Sequence, residues 1–166
     1  MENLFVGLDP SLTATGLVIL NKDVEIIHQE LISTSSKVDI EPRLIKIKNY
    51  VMSSLNNVRR DKFYNVYVEG LSFMSSGQGF TQLAGLHYFL RSYFFQRPED
   101  IKYKVIAPGS LKKFVTGKGN AKKELMLLKV FKKWGVEFSD NNLCDAYSLA
   151  RMALEEYKET TNETQT

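Results

Sequence analysis

The chain has 166 residues, a net charge of +3 and 43% hydrophobic residues, enough apolar matter for one ordinary domain with its own core. A single cysteine, Cys144, excludes a disulfide framework and a cysteine-rich zinc site within the chain. No apolar run approaches the length of a membrane span, and the N-terminus lacks the basic region of a signal peptide, so a cytoplasmic protein is expected. The charge is unevenly spread. Residues 102–133 hold ten lysines against one acid, Glu124, which makes that segment +9 and leaves −6 elsewhere. A basic third beside an acidic remainder points to a protein that holds a polyanion on one face.

In chain order, Leu4–Leu8 is a short apolar strand stopped by Asp9-Pro10. A Ser/Thr/Gly turn over 11–16 leads to strands at 16–20 and 24–34, joined by Asn21-Lys22-Asp23 as a tight hairpin. These three strands form an antiparallel meander. Residues 43–55 carry Leu44, Ile47, Val51 and Leu55 on one side of a helix. Residues 65–71 (NVYVEGL) alternate as a strand, and the Gly/Ser-rich stretch 72–79 is a loop. A long helix at 80–95, a strand at 103–107 and helices at 108–115, 121–134 and 142–157 complete a mixed five-stranded sheet with helical crossovers. The domain is expected to occupy 1–157, with a polar tail over 158–166.

Three acids resist the usual reading as solvated surface charge. Asp9 ends an apolar strand, Glu69 follows Val66-Tyr67-Val68 at the end of another, and Asp145 sits in a helix that is apolar or small on nearly every face. Two carboxylates ~5 Å apart repel by roughly 3 kcal/mol at an effective dielectric of ~20, so three together need cations. Two Mg²⁺ ions, with Mn²⁺ able to substitute, would balance three carboxylates and a phosphate, and hard oxygen ligands suit these metals rather than zinc.

With those acids in place, Gly7-Leu8-Asp9-Pro10-Ser11-Leu12-Thr13-Ala14-Thr15-Gly16 resembles the first strand and turn of the RuvC family of Holliday junction resolvases. Val68-Glu69 resembles its second acidic motif, residues 115–123 (VTGKGNAKK) its glycine-rich basic turn, and Asp145-Ala146 its C-terminal acidic motif. The four motifs stand in family order over nearly the whole chain. The resemblance implies an RNase H-like α/β fold, a homodimer, and Mg²⁺-dependent paired nicking of four-way DNA junctions. The family usually has an acid or histidine three residues before the last acid; here that residue is Asn142. Asn142 shares a helix face with Asp145 and its amide oxygen can ligate Mg²⁺, while Asp140, a helix N-cap by sequence, is the competitor.

On a helical wheel Lys122, Lys129 and Lys133 oppose an apolar stripe of Met126, Leu127, Val130, Phe131 and Trp134. Lys123 falls with the stripe, in the first turn, where an idle lysine would be costly. The resemblance marks the positions of Lys112 and Lys123 as basic residues near the scissile strand. Lys113, Lys118 and Lys122 join them as candidate phosphate contacts. The family's loop after the second acid carries an aromatic that enters the junction centre; Phe73, four residues after Glu69, is the candidate. The helix 80–95 is apolar round most of its circumference, which an isologous dimer would bury. His28 and His87 receive no role.

Three functions follow: a junction-resolving endonuclease, a broader nuclease that also cuts forks and flaps, and a junction-binding protein with a dead nuclease fold. The presence of all three acids disfavours the last. The Lys- and Asn-rich composition leans toward a phage-encoded version.

Overall fold

The computed structural model describes residues 2–58, 62–72 and 76–163. Five strands, β1 (Glu2–Asp9), β2 (Ala14–Leu20), β3 (Ile26–Ser33), β4 (Lys62–Glu69) and β5 (Ile101–Ile106), form one sheet in the order β3-β2-β1-β4-β5. The first three are antiparallel neighbours; β4 lies parallel to β1, and β5 parallel to β4. Helix α1 (Ile40–Asn57) connects β3 to β4, and α2 (Gln78–Phe95) connects β4 to β5. Helices α3 (Pro108–Thr116), α4 (Lys123–Trp134) and α5 (Asn141–Glu163) follow the last strand.

Because β1 and β4 are buried on both faces, the two-residue period sorts their side chains into two cores. Leu4, Val6 and Leu8 of β1 join Tyr64, Val66 and Val68 of β4 in a core beneath α1 and α2. Phe5 of β1 and Tyr67 of β4 face the other way, into a core made with α3, α4 and α5. Asp9 and Glu69 share the parity of Phe5 and Tyr67. Each stands one residue past the paired Leu8 and Val68, at the same end of adjacent strands.

Helix α5 lies against the sheet with almost nothing in between. A Cβ on Gly7 would sit 1.7 Å from the Ala146 carbonyl oxygen and 2.6 Å from the Ala150 nitrogen. One on Gly16 would sit 2.2 Å from the Asn142 carbonyl oxygen. Gly7 and Gly16 therefore allow backbone-to-backbone contact, and the small Ala146, Ala150 and Ala153 keep that face of the helix flat and buried.

Two local readings differ from the expectation. The β2–β3 connection is the wider turn Asn21–Glu25. The Asn21 side-chain oxygen accepts from the Asp23 and Glu25 amides at 3.0 and 2.9 Å, and Val24 adopts a φ of +71° that a β-branched residue rarely takes. The final helix runs on through Glu163, past the start of the expected polar tail. Its last residues are exposed but contain no proline or glycine to stop them.

The glycine contact sets a stability test. Gly7→Ala is expected to lower unfolding stability by about 3 kcal/mol, because the clash is with helix backbone and no rotamer relieves it. Gly79→Ala, where an added Cβ meets nothing within 4 Å, should change it by less than about 1 kcal/mol. Urea denaturation of the two variants makes the comparison.

Candidate metal centre and nucleic-acid interface

Three separate elements bring the predicted acids together. Asp9 closes β1, Glu69 closes β4, and Asp145 projects from the second turn of α5, which the glycine contact presses onto the sheet. One oxygen from each lies within 4.8 Å of the others. Asp9 is buried and the other two are half-buried. Burial, then the charge of Glu69 and a hydrogen bond with it, then Asp145, hold the Asp9 carboxyl well above the usual carboxylate range, against the pull of Lys123. Burial and Glu69 push Asp145 up to about 7, with Asp140 adding to the rise and Lys123 and Lys112 opposing it. Carboxylates this close repel by ~3 kcal/mol per pair. A divalent cation with hard oxygen preference fits such a donor set and removes the conflict.

The lysines divide by position. Lys123 is the first residue of α4 and is exposed, although its helical phase follows buried Met126 and Val130. Its charge instead acts on Asp9 and Asp145. Lys112 is half-buried in α3, and its charge also reaches Asp145. Lys113 lines a cleft of about 490 Å³ with Ser72, Ser110 and Gly119, between the segment after Glu69 and the glycine-rich turn. Lys118 lies in that turn, where Gly117 caps α3 at a φ of +81° and the Thr116 hydroxyl bonds both the amide and the carbonyl of Lys118. Lys122 is exposed just ahead of α4. Phe131, placed by the wheel in the apolar stripe, is instead 51% exposed, because α4 packs on its neighbours along only one edge.

Asp140 performs the capping role that its sequence position indicates. Its Oδ1 accepts from the amides of Asn142 and Leu143 at 2.8 and 3.1 Å. Asn142 is half-buried one turn before Asp145. Phe73 lies outside the described residues. His28 stands 3.5 Å from Glu30 on β3, and His87 is buried in α2, its ring pushed down to about 4 by burial and by Arg91. Neither is part of the carboxylate cluster.

Sequence reading passed over Arg43. It sits in α1 among the residues that face the sheet and is only 7% exposed. Its Nη2 donates to the Leu12 carbonyl at 2.7 Å and its Nε to the Thr34 hydroxyl at 3.1 Å, tying α1 to the turn that follows Asp9. Thr15 braces the same turn from within, its hydroxyl donating to the Ser11 carbonyl at 2.7 Å. A lone arginine in an amphipathic helix carries no sequence signal for such a bond.

Comparison with known proteins agrees with this arrangement. A family model described as "Crossover junction endodeoxyribonuclease RuvC" matches residues 5–152. A protein of the same description from Ehrlichia chaffeensis (strain ATCC CRL-10679 / Arkansas) is 29% identical over 154 residues, covering 86% of this chain and 96% of that one. Among solved structures, Thermus thermophilus RuvC aligns with a TM-score of 0.74 at 20% identity, covering 96% of each chain. The same protein in complex with Holliday junction substrate aligns with a TM-score of 0.75 at 21% identity and the same coverage. The yeast mitochondrial Holliday junction resolvase Ydc2 aligns at 0.55 and 14% identity, covering 96% of this chain and 83% of that one. At these identities the solved structures establish the fold, which is RNase H-like.

The clustered acids make the metal-free protein sensitive to pH. The folded pKa of Asp145 lies above its unfolded value, so the folded state binds more protons between about pH 4 and 7, and stability falls as pH rises through that window. In EDTA the melting temperature is expected to be higher at pH 5 than at pH 7.5. Asp145→Asn should raise it at pH 7.5 by roughly 5 °C and flatten the dependence. Millimolar Mg²⁺ should stabilise the wild type at pH 7.5 and leave Asp145→Asn nearly unmoved.

Proposed function

Because this chain belongs to the crossover junction endodeoxyribonuclease RuvC family, we propose that it resolves four-way DNA junctions by metal-dependent phosphodiester hydrolysis. The observation that carries this reading is the convergence of Asp9, Glu69 and Asp145 within 4.8 Å, beside a rim of lysines. Asp9, Glu69 and Asp145 are the metal-binding and catalytic acids, within one nuclease domain spanning residues 1–157. The metal is Mg²⁺, two ions per site, with Mn²⁺ as a substitute. Bound divalent ions at such a site supply an activated water and charge stabilisation for the leaving oxygen.

The remaining chemistry belongs to the chain. Lys123, aided by Lys112, neutralises charge at the scissile phosphate, since both act electrostatically on the acids themselves. Lys113, Lys118 and Lys122 hold flanking phosphates, which gives affinity without sequence preference. Asn142 fills the fourth position through its amide oxygen. The cap bonds of Asp140 support that choice, because they engage one of its oxygens at the helix start. Phe73 enters the junction centre and stacks on unpaired bases.

The enzyme acts as a homodimer through α2, in the cytoplasm of a bacterium or of a phage-infected cell. One face of α2 packs under the sheet through Leu86, Leu90 and Phe94, while Tyr88 and Phe95 stay 65% and 75% exposed on the other. Thr81, Gly85, Tyr88, Ser92 and Phe95 form a continuous exposed stripe at helical spacing. A two-fold enzyme through that stripe matches a two-fold junction.

A labelled four-way junction with Mg²⁺, run beside fork and linear duplex controls, tests the activity. Symmetric nicking of the junction is expected, with Asp9→Asn reducing the rate by ~10³-fold or more. Equal cutting of forks would replace the junction resolvase with the broader branch nuclease, and absence of incision in both Mg²⁺ and Mn²⁺ would remove the enzyme. Asn142→Ala should lower the metal affinity about tenfold, while Asp140→Ala should act through stability by ~1 kcal/mol. Tyr88→Glu with Phe95→Glu should convert the dimer to a monomer by analytical ultracentrifugation, leaving the carboxylate cluster able to bind Mg²⁺.

A further inference from the structure

The groove between the end of β3 and the start of α1 is about 460 Å³ in volume and is lined by Ser33, Thr34, Ser35, Val38, Pro42, Arg43 and Lys46. It presents two cations and three hydroxyls, with no carboxylate in its lining. Both cations are held in place. Arg43 is tied to the Leu12 carbonyl and the Thr34 hydroxyl, and the Lys46 ammonium donates to the Ser33 carbonyl at 3.0 Å. Thr34 in turn hydrogen-bonds Leu12 through its hydroxyl.

Arg43 is only 7% exposed, so its guanidinium has given up much of its hydration on folding. Two bonds to neutral acceptors offset part of that loss and leave donors on Nη1 unused by any bond among the described residues. An anion seated in the groove supplies the missing charge. The donors need no reorganisation to receive it, which is the condition for useful affinity.

The groove also lies where a long polyanion would pass. Asp9 pairs with Gly16 and Ala14 pairs with Ser33, so the catalytic end of β1 and the groove end of β3 share one edge of the sheet. Two strand spacings separate β1 from β3, about 10 Å, which is within the span of a few nucleotides of a DNA strand. Leu12, bonded by Arg43, stands in the turn between them.

We propose that this groove is an anion subsite that holds a backbone phosphate of the junction, a few nucleotides from the scissile bond. The proposal rests on the junction nuclease reading. Arg43 is the positioned anchor, Lys46, held against the Ser33 carbonyl, and the hydroxyl of Ser35 complete the set of contacts, and the turn after Asp9 is stiffened by the same guanidinium that meets the DNA.

The test uses full-length Lys46→Ala, Lys46→Glu and Ser35→Ala, which alter exposed side chains and spare the buried clamp. Junction binding is measured in Ca²⁺ across a salt series, and single-turnover cleavage in Mg²⁺. Lys46→Ala should weaken junction binding about 5-fold, and Lys46→Glu more, with the slope of log K against log salt reduced by about 1. The cleavage rate at saturating enzyme should stay within about 2-fold. A scan of single methylphosphonate linkages should find one, away from the cut, that weakens wild type but adds nothing in Lys46→Ala. Unchanged salt slopes, or the absence of any linkage coupled to Lys46, would overturn the subsite and leave Arg43 as a purely structural clamp. Failure of the wild type to bind the junction at all would overturn the junction reading itself, and the subsite with it.

Discussion

The carboxylate cluster at the end of the sheet depends on how closely α5 approaches it. Asp145 reaches Asp9 only because the helix backbone rests directly on Gly7 and Gly16, with Ala146, Ala150 and Ala153 on the facing surface. A side chain on either glycine would lift the helix by more than an ångström. That would separate the acids while leaving all the strands in place. The contact joins a local feature, two residues without a Cβ, to a global one, the spacing of a metal centre. It also explains why α5 is long and well buried along its first half: a helix that must hold a carboxylate against mutual repulsion needs a large apolar face, here Cys144, Tyr147, Ala150 and Leu154 in the core beneath it.

That repulsion is the energetic counterpart of function. Asp9 is placed by strand parity on the α5 face, and Glu69 by the same parity one strand away, so two carboxylates at one sheet end are unavoidable once β1 and β4 pair in parallel. The α5 carboxylate completes the set. Without cations the cluster resists ionisation, which is why burial and Glu69 raise both Asp9 and Asp145. The fold stores this conflict in its centre, where β1 is flanked on both sides and cannot splay. A cation that relieved this repulsion would therefore couple its binding to folding.

Much of this arrangement is legible in the residues. The order of strands and helices follows from period-2 runs and 3.6-period runs, and the three acids stand out because each ends or interrupts an apolar segment. Asp140 reads as a helix cap from position alone, and the structure gives it that bond. The rest depends on tertiary contact. Val24 at positive φ reflects an Asn21 side chain that gathers two amides, which widens a turn that looked like a tight hairpin over Asn21-Lys22-Asp23. Phe131 has the helical phase of the core but lies beyond the packed edge of α4. Arg43 shows no signal because its partners, Leu12 and Thr34, are 31 and 9 residues away. The run past Lys158 continues because nothing in KETTNE breaks a helix already docked upstream.

The basic segment itself divides once the contacts are known. Lys104, within β5, is bound to Glu156 at 2.8 Å, and Lys133 lies over the rings of Phe114 and Trp134 at 4.5 and 4.6 Å. Those lysines are occupied with holding α5 and α4 in place. Lys112, Lys113, Lys118, Lys122 and Lys123 come from the second half of α3, the glycine-rich turn and the start of α4, and among the described residues none forms a salt bridge with a carboxylate. The charge that looked like one patch is thus a structural set and a free set. Of the free set, Lys112 and Lys123 stand close enough to act on Asp145, and Lys123 on Asp9 as well. Positive charge of this kind attracts a polyanion, and uncompensated carboxylates beside it repel one, so the two sets of charge oppose each other at the same end of the sheet.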